Sequence, residues 1–373
     1  MDAANKPNKS FIILTSGVAA LGGLLFGFDT AIISGTIPYI SKYFSMDEYM
    51  LGWSVSSILV GCAVGAIFAG KIADRHGRRL SLIVCAVLFA ISGIGARMSH
   101  QLFVFILFRL VGGLGVGAAA MVSPMYIAEM APAKWRGRLV AFYQMAIVIG
   151  ILVAYFTNYF LNNLGEDSWR WMFASQTAPS LLFFLLLLRV PETPRWLIMK
   201  GRRQEAKDIL EKISSGLPVD EELADIEKSF HHQHRISLKH LLTKTYRPVL
   251  FIGIIVAVFQ QVTGINSIIY YAPVIFKETG ISSSSSLFQT IIIGVVNVAS
   301  TFVAIGLVDK IGRRKLLLTG SVLMGLSLTA VGLCFHYHYF DNYIVLVFML
   351  LYVASFGATM GAVVWVYLSE IFP

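Results

Sequence analysis

The most constraining feature of this 373-residue chain is a short basic cassette that occurs twice, each time in a turn between two long apolar runs. Residues 73–79 read ADRHGRR and residues 308–314 read VDKIGRR, so the two Gly-Arg-Arg triplets lie 235 residues apart. A second pair follows in the same order at nearly the same offset: YIAEMAP ending at Pro132 and YLSEIFP ending at Pro373. Landmarks repeated at a fixed offset identify a duplicated unit. The runs flanking each turn reach the roughly 20 apolar residues that cross a bilayer, so the unit is a set of membrane spans.

Composition narrows the function classes. The chain is 56% hydrophobic and 14% charged, whereas a soluble domain carries about 25% charge. A net charge of +9 could serve nucleic acid, but beside this apolar content it belongs to basic loops at a membrane. Cys62, Cys85 and Cys334 sit inside apolar runs at unrelated spacings, which argues against a disulfide framework or a metal site. The first apolar run, Phe11 to about Ile37, exceeds a signal-peptide core and reads as a retained span. No nucleophile–base or metal spacing points to an enzyme, and no cofactor is expected beyond protons as a coupling ion.

Ten runs qualify as spans: about 11–37, 51–72, 80–97, 102–128, 138–162, 169–190, 247–276, 285–308, 315–336 and 343–368. One long polar connection divides them. The expected organisation is a six-span bundle over 1–190, a cytoplasmic helical linker over 191–246 and a four-span bundle over 247–373. With the N-terminus in the cytoplasm, 25 of the 30 lysines and arginines fall on inner segments and four on outer loops. That is a positive-inside distribution. Inside the linker, Ala206, Ile209, Leu210 and Ile213 keep helical spacing, as do Val219, Leu223, Ile226 and Phe230. Thr193-Pro194 fits an N-cap followed by proline at the first helical position. Short amphipathic helices are expected there; a floppy linker is the alternative. Gly113, Gly115 and Gly117 in GGLGVG sit mid-span and read as helix packing rather than a dinucleotide loop.

Two ionisable residues lie deep in the spans, Asp29 and Arg109. Span 1 runs outward and span 4 inward. Each residue then stands about 8 residues, roughly 12 Å, below the outer surface, so the two charges share one level. Such a pair either couples proton binding to movement or locks two helices statically. Amides form a second set: Gln144 in span 5, Gln260, Gln261 and Asn266 in span 7, and Asn297 in span 8, with Tyr270, Tyr271 and Trp365 near them in sequence. Donors and acceptors beside ring faces suit a hydroxyl-rich ligand; interhelical hydrogen bonding is the alternative for any one of them. Glu129 and Glu370 each end a span at the inner face, where Arg75, Arg78, Arg79 and Arg136 could join Glu129 in a charge network or simply be solvated.

With these residues assembled, the chain resembles a sugar porter of the major facilitator superfamily, most nearly the bacterial xylose–proton symporters. The likeness rests on GKIADRHGRR at 70–79, VDKIGRR at 308–314, RVPETPRWL at 189–197, QQVTGINSIIYY at 260–271, YIAEMAPAKWRGR, the terminal SEIFP, and FDTAIISGT and FASQ. It implies an all-α membrane protein of two six-span halves rocking about a central site, the second half ending here after four spans. On that reading the chain is part of a twelve-span protein and is not expected to transport by itself. The resemblance implies sugar contacts at Gln144, Gln260, Gln261, Asn266, Asn297 and Trp365, an outer gate at Tyr270 and Tyr271, and proton coupling at Asp29 with Arg109. It also implies a cytoplasmic charge network of Asp74, Arg78, Arg79, Glu129, Arg136 and Glu192, repeated as Asp309, Arg313, Arg314 and Glu370. The implied protein is a monomeric, multi-pass proton–monosaccharide symporter of a bacterial inner membrane, taking a pentose or hexose from a lipid-embedded site. A facilitative uniporter and a non-transporting sensor are the alternatives. Two departures stand out. Gln176 replaces the glutamate of xylose-type symporters, and Gly361-Ala362 replaces a common Gly-Pro, which predicts a straighter span 10.

Overall fold

The structure, a computed structural model, describes residues 8–132, 134–213, 219–232, 243, 246–340 and 343–371. Every regular element among them is a helix. In lipid a helix satisfies its own backbone polar groups, so apolar runs of this length have few alternatives. Among the described residues, nine helical segments are long and apolar enough to cross a membrane. In the first part of the chain these are α1 (Lys9–Tyr43), α2 (Glu48–His76), α3 (Arg78–Met98), α4 (Leu102–Met130) and α5 (Arg136–Leu161). Asn8 caps α1 by accepting from the Phe11 N–H, and Asp47 caps α2 by accepting from Met50.

The expected span over 169–190 is two helices rather than one. α6 (Ser168–Ser175) and α7 (Thr177–Leu187) meet at Gln176. Pro179 has no N–H to donate to the Ser175 carbonyl four residues back, so the hydrogen-bond ladder fails there. Span 7 is likewise divided, into α11 (Arg247–Val262) and α12 (Ile265–Glu278), at Gly264, whose φ of +90° is open to glycine at little cost. After α13 (Ser283–Ile311) and α14 (Arg313–His336), span 10 is divided into α15 (Ile344–Ala358) and α16 (Met360–Ile371). The break is at Thr359, with φ −132° and ψ −87°. A straighter span 10 was expected without the Gly-Pro pair. Here the Thr359 side chain packs where Gly320 has no Cβ, and its hydroxyl donates to the Ser355 carbonyl at 2.6 Å.

The linker carries the amphipathic helices expected of it: α8 (Pro194–Met199), α9 (Arg203–Ile213) and α10 (Val219–His232). Thr193 occupies the N-cap and Pro194 the first turn of α8. Ala206, Ile209, Leu210, Ile213 and Leu223 are all buried, in one apolar cluster with Ile12 of α1 and Tyr126 of α4. The Phe230 side chain lies outside what the structure describes.

The chain forms two compact units. One comprises Met1–Asp29, Tyr39–Gly150 and Leu164–His234; the other Thr30–Pro38, Ile151–Asn163 and Arg235–Pro373. These bounds cut across the blocks read from sequence: the linker helices join the first unit, and short pieces of α1 and α5 join the second. Within the first unit α2 packs closely on α4 through glycines. A Cβ at Gly61 would come within 3.0 Å of the Gly113 Cα, and Gly117 abuts the Cys62 carbonyl. The GGLGVG run is thus a packing seam in mid-helix.

Candidate functional site

In the first unit the two deep charges meet. Asp29 and Arg109 are both completely buried, and Arg109 Nη1 donates to Asp29 Oδ1 at 2.9 Å and to the Asp29 carbonyl at 3.4 Å. Small neighbours make the room: a Cβ at Gly112 would lie 2.8 Å from Asp29 Oδ2 and would strike the Ser92 hydroxyl. A charge in this setting is tolerable because it is paired, and removing one member of a buried pair typically costs about 3–5 kcal/mol. The pair is not saturated. Asp29 Oδ2 and Arg109 Nε and Nη2 have no hydrogen-bond partner among the described residues. Two residues that span patterning did not single out as partners stand beside it. The Phe173 ring centroid is 5.7 Å from Arg109 Cζ, and the Gln176 amide lies beside the Asp29 carboxylate, outside hydrogen-bonding geometry.

The first cassette builds a second charged centre at the end of the bundle that also holds the linker helices. Gly77 turns the chain between α2 and α3 with φ +103°, and a Cβ there would strike Glu192 Oε2. Both facts require glycine. Glu192 Oε1 accepts from the Arg78 and Thr193 N–H groups at 3.1 and 2.9 Å, and Oε2 from Arg79 N–H at 3.0 Å. Burial holds the Glu192 carboxyl above the usual carboxylate range, against the opposing pull of these donors and of the Arg78 charge. The Arg78 guanidinium reaches Glu129 at 3.2 Å, Asp74 at 3.0 Å and the Ala73 carbonyl at 3.1 Å. Thr193 Oγ1 donates to Glu129 Oε2 at 2.5 Å. Arg79 donates from Nε and Nη2 to the Leu187 and Leu188 carbonyls, both at 2.8 Å. It thereby satisfies two carbonyls left free where α7 ends.

Arg136 takes a different place from the one expected. Its Nε donates to the Ala128 carbonyl at 3.1 Å and it forms no ion pair with Glu129 among the described residues; Glu129 is taken by Arg78 and Thr193. The second cassette repeats part of the geometry. Gly312 has φ +87°, and Arg313 Nη1 donates to the carbonyl five residues back, Val308, at 3.2 Å, as Arg78 does to Ala73. Arg314 is exposed, and the side chains of Asp309 and Glu370 lie outside what the structure describes.

In the second unit the break of span 7 gathers amides. Gln260, 3% exposed, donates to the Met360 carbonyl at 3.2 Å and accepts from Gln261 Nε2 at 3.1 Å. Gln261 Oε1 in turn accepts from Asn266 Nδ2 at 2.9 Å. Tyr352 OH ties the break itself by donating to the Thr263 carbonyl at 2.9 Å. Asn297, buried on α13, stands 3.3 Å from where a Gly357 Cβ would be. Tyr270 is buried, Tyr271 half-buried and Trp365 exposed. Gln144 is on α5 in the first unit. The piece of α5 in the second unit packs beside these helices: Tyr155 OH donates to the Ile269 carbonyl at 3.1 Å, and Gly294 fits against Leu152 and Tyr155.

Residues 15–373 match the family profile described as sugar (and other) transporter. The D-xylose-proton symporter of Escherichia coli (strain K12) is 42% identical, with 98% of this chain and 80% of the relative covered. The arabinose-proton symporter of Bacillus subtilis (strain 168) is 41% identical over the same shares. Among solved structures, a partially occluded, inward-open conformation of the xylose transporter XylE from E. coli matches with a TM-score of 0.87 at 39% identity. That match covers 96% of this chain and 87% of the other.

Proposed function

The chain belongs to the sugar (and other) transporter family, and from that premise we propose a proton-coupled monosaccharide symporter that works by alternating access. The observation that carries the coupling is the fully buried Asp29–Arg109 ion pair. A buried carboxylate that, among the described residues, is held by one guanidinium is a proton site whose charge state changes what holds the helices. The proton enters on Asp29, the Coulomb attraction to Arg109 is lost, and the halves rearrange with sugar bound. Release of sugar and proton on the other side restores the pair.

The sugar is read by Gln144, Gln260, Gln261, Asn266, Asn297 and Trp365, with Tyr270 and Tyr271 as the gate over it. Support comes from the run of amides at the span 7 break, which presents alternating donors and acceptors. Relatives named as xylose and arabinose symporters make a pentose the first sugar to try. The charged centre around Glu129 and Glu192 acts as a clamp on the cytoplasmic face of a bacterial inner membrane, with the N-terminus inside. The lysine and arginine distribution supports that orientation.

Moving one charge across 100 mV is worth about 2.3 kcal/mol, which corresponds to about 50-fold accumulation at one proton per sugar. In proteoliposomes with a 100 mV interior-negative potential, the full-length protein is expected to approach that ratio with D-xylose. Asp29→Asn is expected to stop at equal concentrations while retaining sugar exchange. Accumulation by the Asp29→Asn protein would refute the coupling role.

A further inference from the structure

The two copies of the duplicated unit differ at one place in a way that opens space. At the 235-residue offset of the cassettes, Phe44, which follows α1, corresponds to Thr279, which follows α12, and Ser54 of α2 corresponds to Gln289 of α13. At the 241-residue offset from Pro132 to Pro373, Phe105 of α4 corresponds to Leu346 of α15. In the first copy the Phe44 and Phe105 rings lie 5.8 Å apart, and Ser54 donates its hydroxyl back to the Met50 carbonyl at 2.7 Å. In the second copy both rings are replaced by smaller side chains. There, within the second unit, a cavity of about 210 Å³ stands where the ends of α12, α13 and α15 meet. Phe276, Ile281 and Leu346 give it apolar walls, and Thr279, Gln289 and the exposed Tyr343 complete the lining.

Gln289 makes this more than a packing gap. The residue is 8% exposed and lines the cavity, yet its amide has no hydrogen-bond partner among the described residues. An amide buried without partners is costly, and a ligand that bonds to it removes that cost. Thr279 Oγ1 donates to the Phe276 carbonyl at 2.7 Å, which leaves its lone pairs free to accept. Among the described residues the lining holds no charged side chain, so the ligand is neutral. An apolar cavity of about 150 Å³ is enough for benzene, and the larger volume here admits one ring with a small polar substituent. A sugar fits less well, since most of its hydroxyls would face Phe276, Ile281 and Leu346 unpaired. We propose that this cavity binds a single-ring phenol or aryl alcohol, with its ring against Phe276 and Leu346 and its hydroxyl on Gln289. Gln289 stands about 8 residues, roughly 12 Å, from Asn297 along α13, so the site is separate from the amides assigned to the sugar. A bound ring joins the ends of α12 and α15 to α13 and so slows movement of α12, which carries Tyr270 and Tyr271. That slowing rests on the transport proposed above; the binding does not.

The probe is para-fluorophenol, read by fluorine NMR with the full-length protein in nanodiscs. The wild type is expected to give a saturable shift beyond that of empty nanodiscs. Gln289→Leu is expected to weaken binding about fivefold, the share of one hydrogen bond. Fluorobenzene, which has no hydroxyl, is expected to bind the wild type and Gln289→Leu alike. Leu346→Phe restores the bulk that Phe105 supplies in the first copy. It is expected to abolish the saturable signal while D-xylose affinity in calorimetry stays unchanged. Should Leu346→Phe not fold, Thr279→Phe, the counterpart of Phe44, fills the same cavity. In proteoliposomes para-fluorophenol is expected to lower the maximal rate of D-xylose uptake at constant KM in the wild type, and to spare Leu346→Phe. A signal that grows without saturating, as partition into lipid gives, would overturn the site. So would undiminished binding in the filled variants, or equal para-fluorophenol affinity in the wild type and Gln289→Leu. A protein that binds the probe but moves no sugar would instead overturn the transport reading and leave the site standing.

Discussion

Replacing Arg79 by alanine separates the side-chain work of the cassette from its backbone work. The Arg79 N–H holds Glu192 in any variant, so only the guanidinium's two bonds to the end of α7 are lost. The bond to the Leu187 carbonyl is part-buried and charge-assisted, worth about 1.5–3 kcal/mol. The bond to the Leu188 carbonyl is exposed and worth about 0.5–1 kcal/mol. The sum, about 2–4 kcal/mol, bears on a single helix end, so the predicted effect is local opening of the last turn of α7. At 1.4 kcal/mol per tenfold, amides following Phe184 are expected to exchange roughly 30- to 700-fold faster in Arg79→Ala. Arg79→Lys is expected to recover about half of the energy, since an ammonium is a point donor and cannot bridge both carbonyls. Hydrogen exchange read by mass spectrometry on peptides covering 180–192, in detergent or nanodiscs, measures both variants. Unchanged exchange in Arg79→Ala, or identical exchange in the alanine and lysine variants, would refute the bidentate cap.

Three further outcomes are expected. Gln261→Ala cuts the amide chain between Gln260 and Asn266 and is expected to weaken D-xylose binding by at least tenfold in calorimetry; unchanged affinity rejects the amides as the sugar site. Tyr155→Phe leaves the Ile269 carbonyl without its donor and is expected to cost about 1–2 kcal/mol, seen as a lower thermal midpoint; equal midpoints would show the bond to be idle. Because burial raises the Glu192 carboxyl, the folded chain binds that proton at higher pH than the unfolded chain does. Its contribution to stability is therefore complete below the unfolded value and declines as pH climbs through the raised folded value. Glu192→Gln is expected to remove that slope from a stability–pH series, and an unaltered slope contradicts the assignment.

The parts of the fold that rest on long-range averages could be read from the chain alone. Spans show as apolar length, the linker helices as the spacing of Ala206, Ile209, Leu210 and Ile213, and the Asp29–Arg109 pair as equal depth on oppositely directed helices. Features that depend on one local contest were not legible. The apolar run 169–190 reads as one span, and nothing in it shows that Gln176 sits at a joint beside Asp29. The break at Thr359 has no proline to signal it, and the close packing of Thr359 on Gly320 joins residues far apart in the chain. Arg136 looked like a partner for Glu129 by sequence distance, yet Thr193 and Arg78 occupy that carboxylate. Phe173 looked like any apolar span residue, since nothing in periodicity marks a ring that lies over a guanidinium.

The division of α1 and α5 between two compact units has a consequence for assembly. A duplicated protein invites dissection at the linker, yet the units are interleaved along the chain rather than laid end to end. A piece ending at residue 190 would keep the Ser34–Asn158 contact but would leave Tyr155 without the Ile269 carbonyl and Leu152 without the surface at Gly294. Residues 247 onward, made alone, would lack the same packing from the other side. During synthesis the segment 151–163 meets these partners only after more than a hundred further residues have been translated. Fragments cut at the linker are expected to lose this packing, and co-expressing the two to restore it.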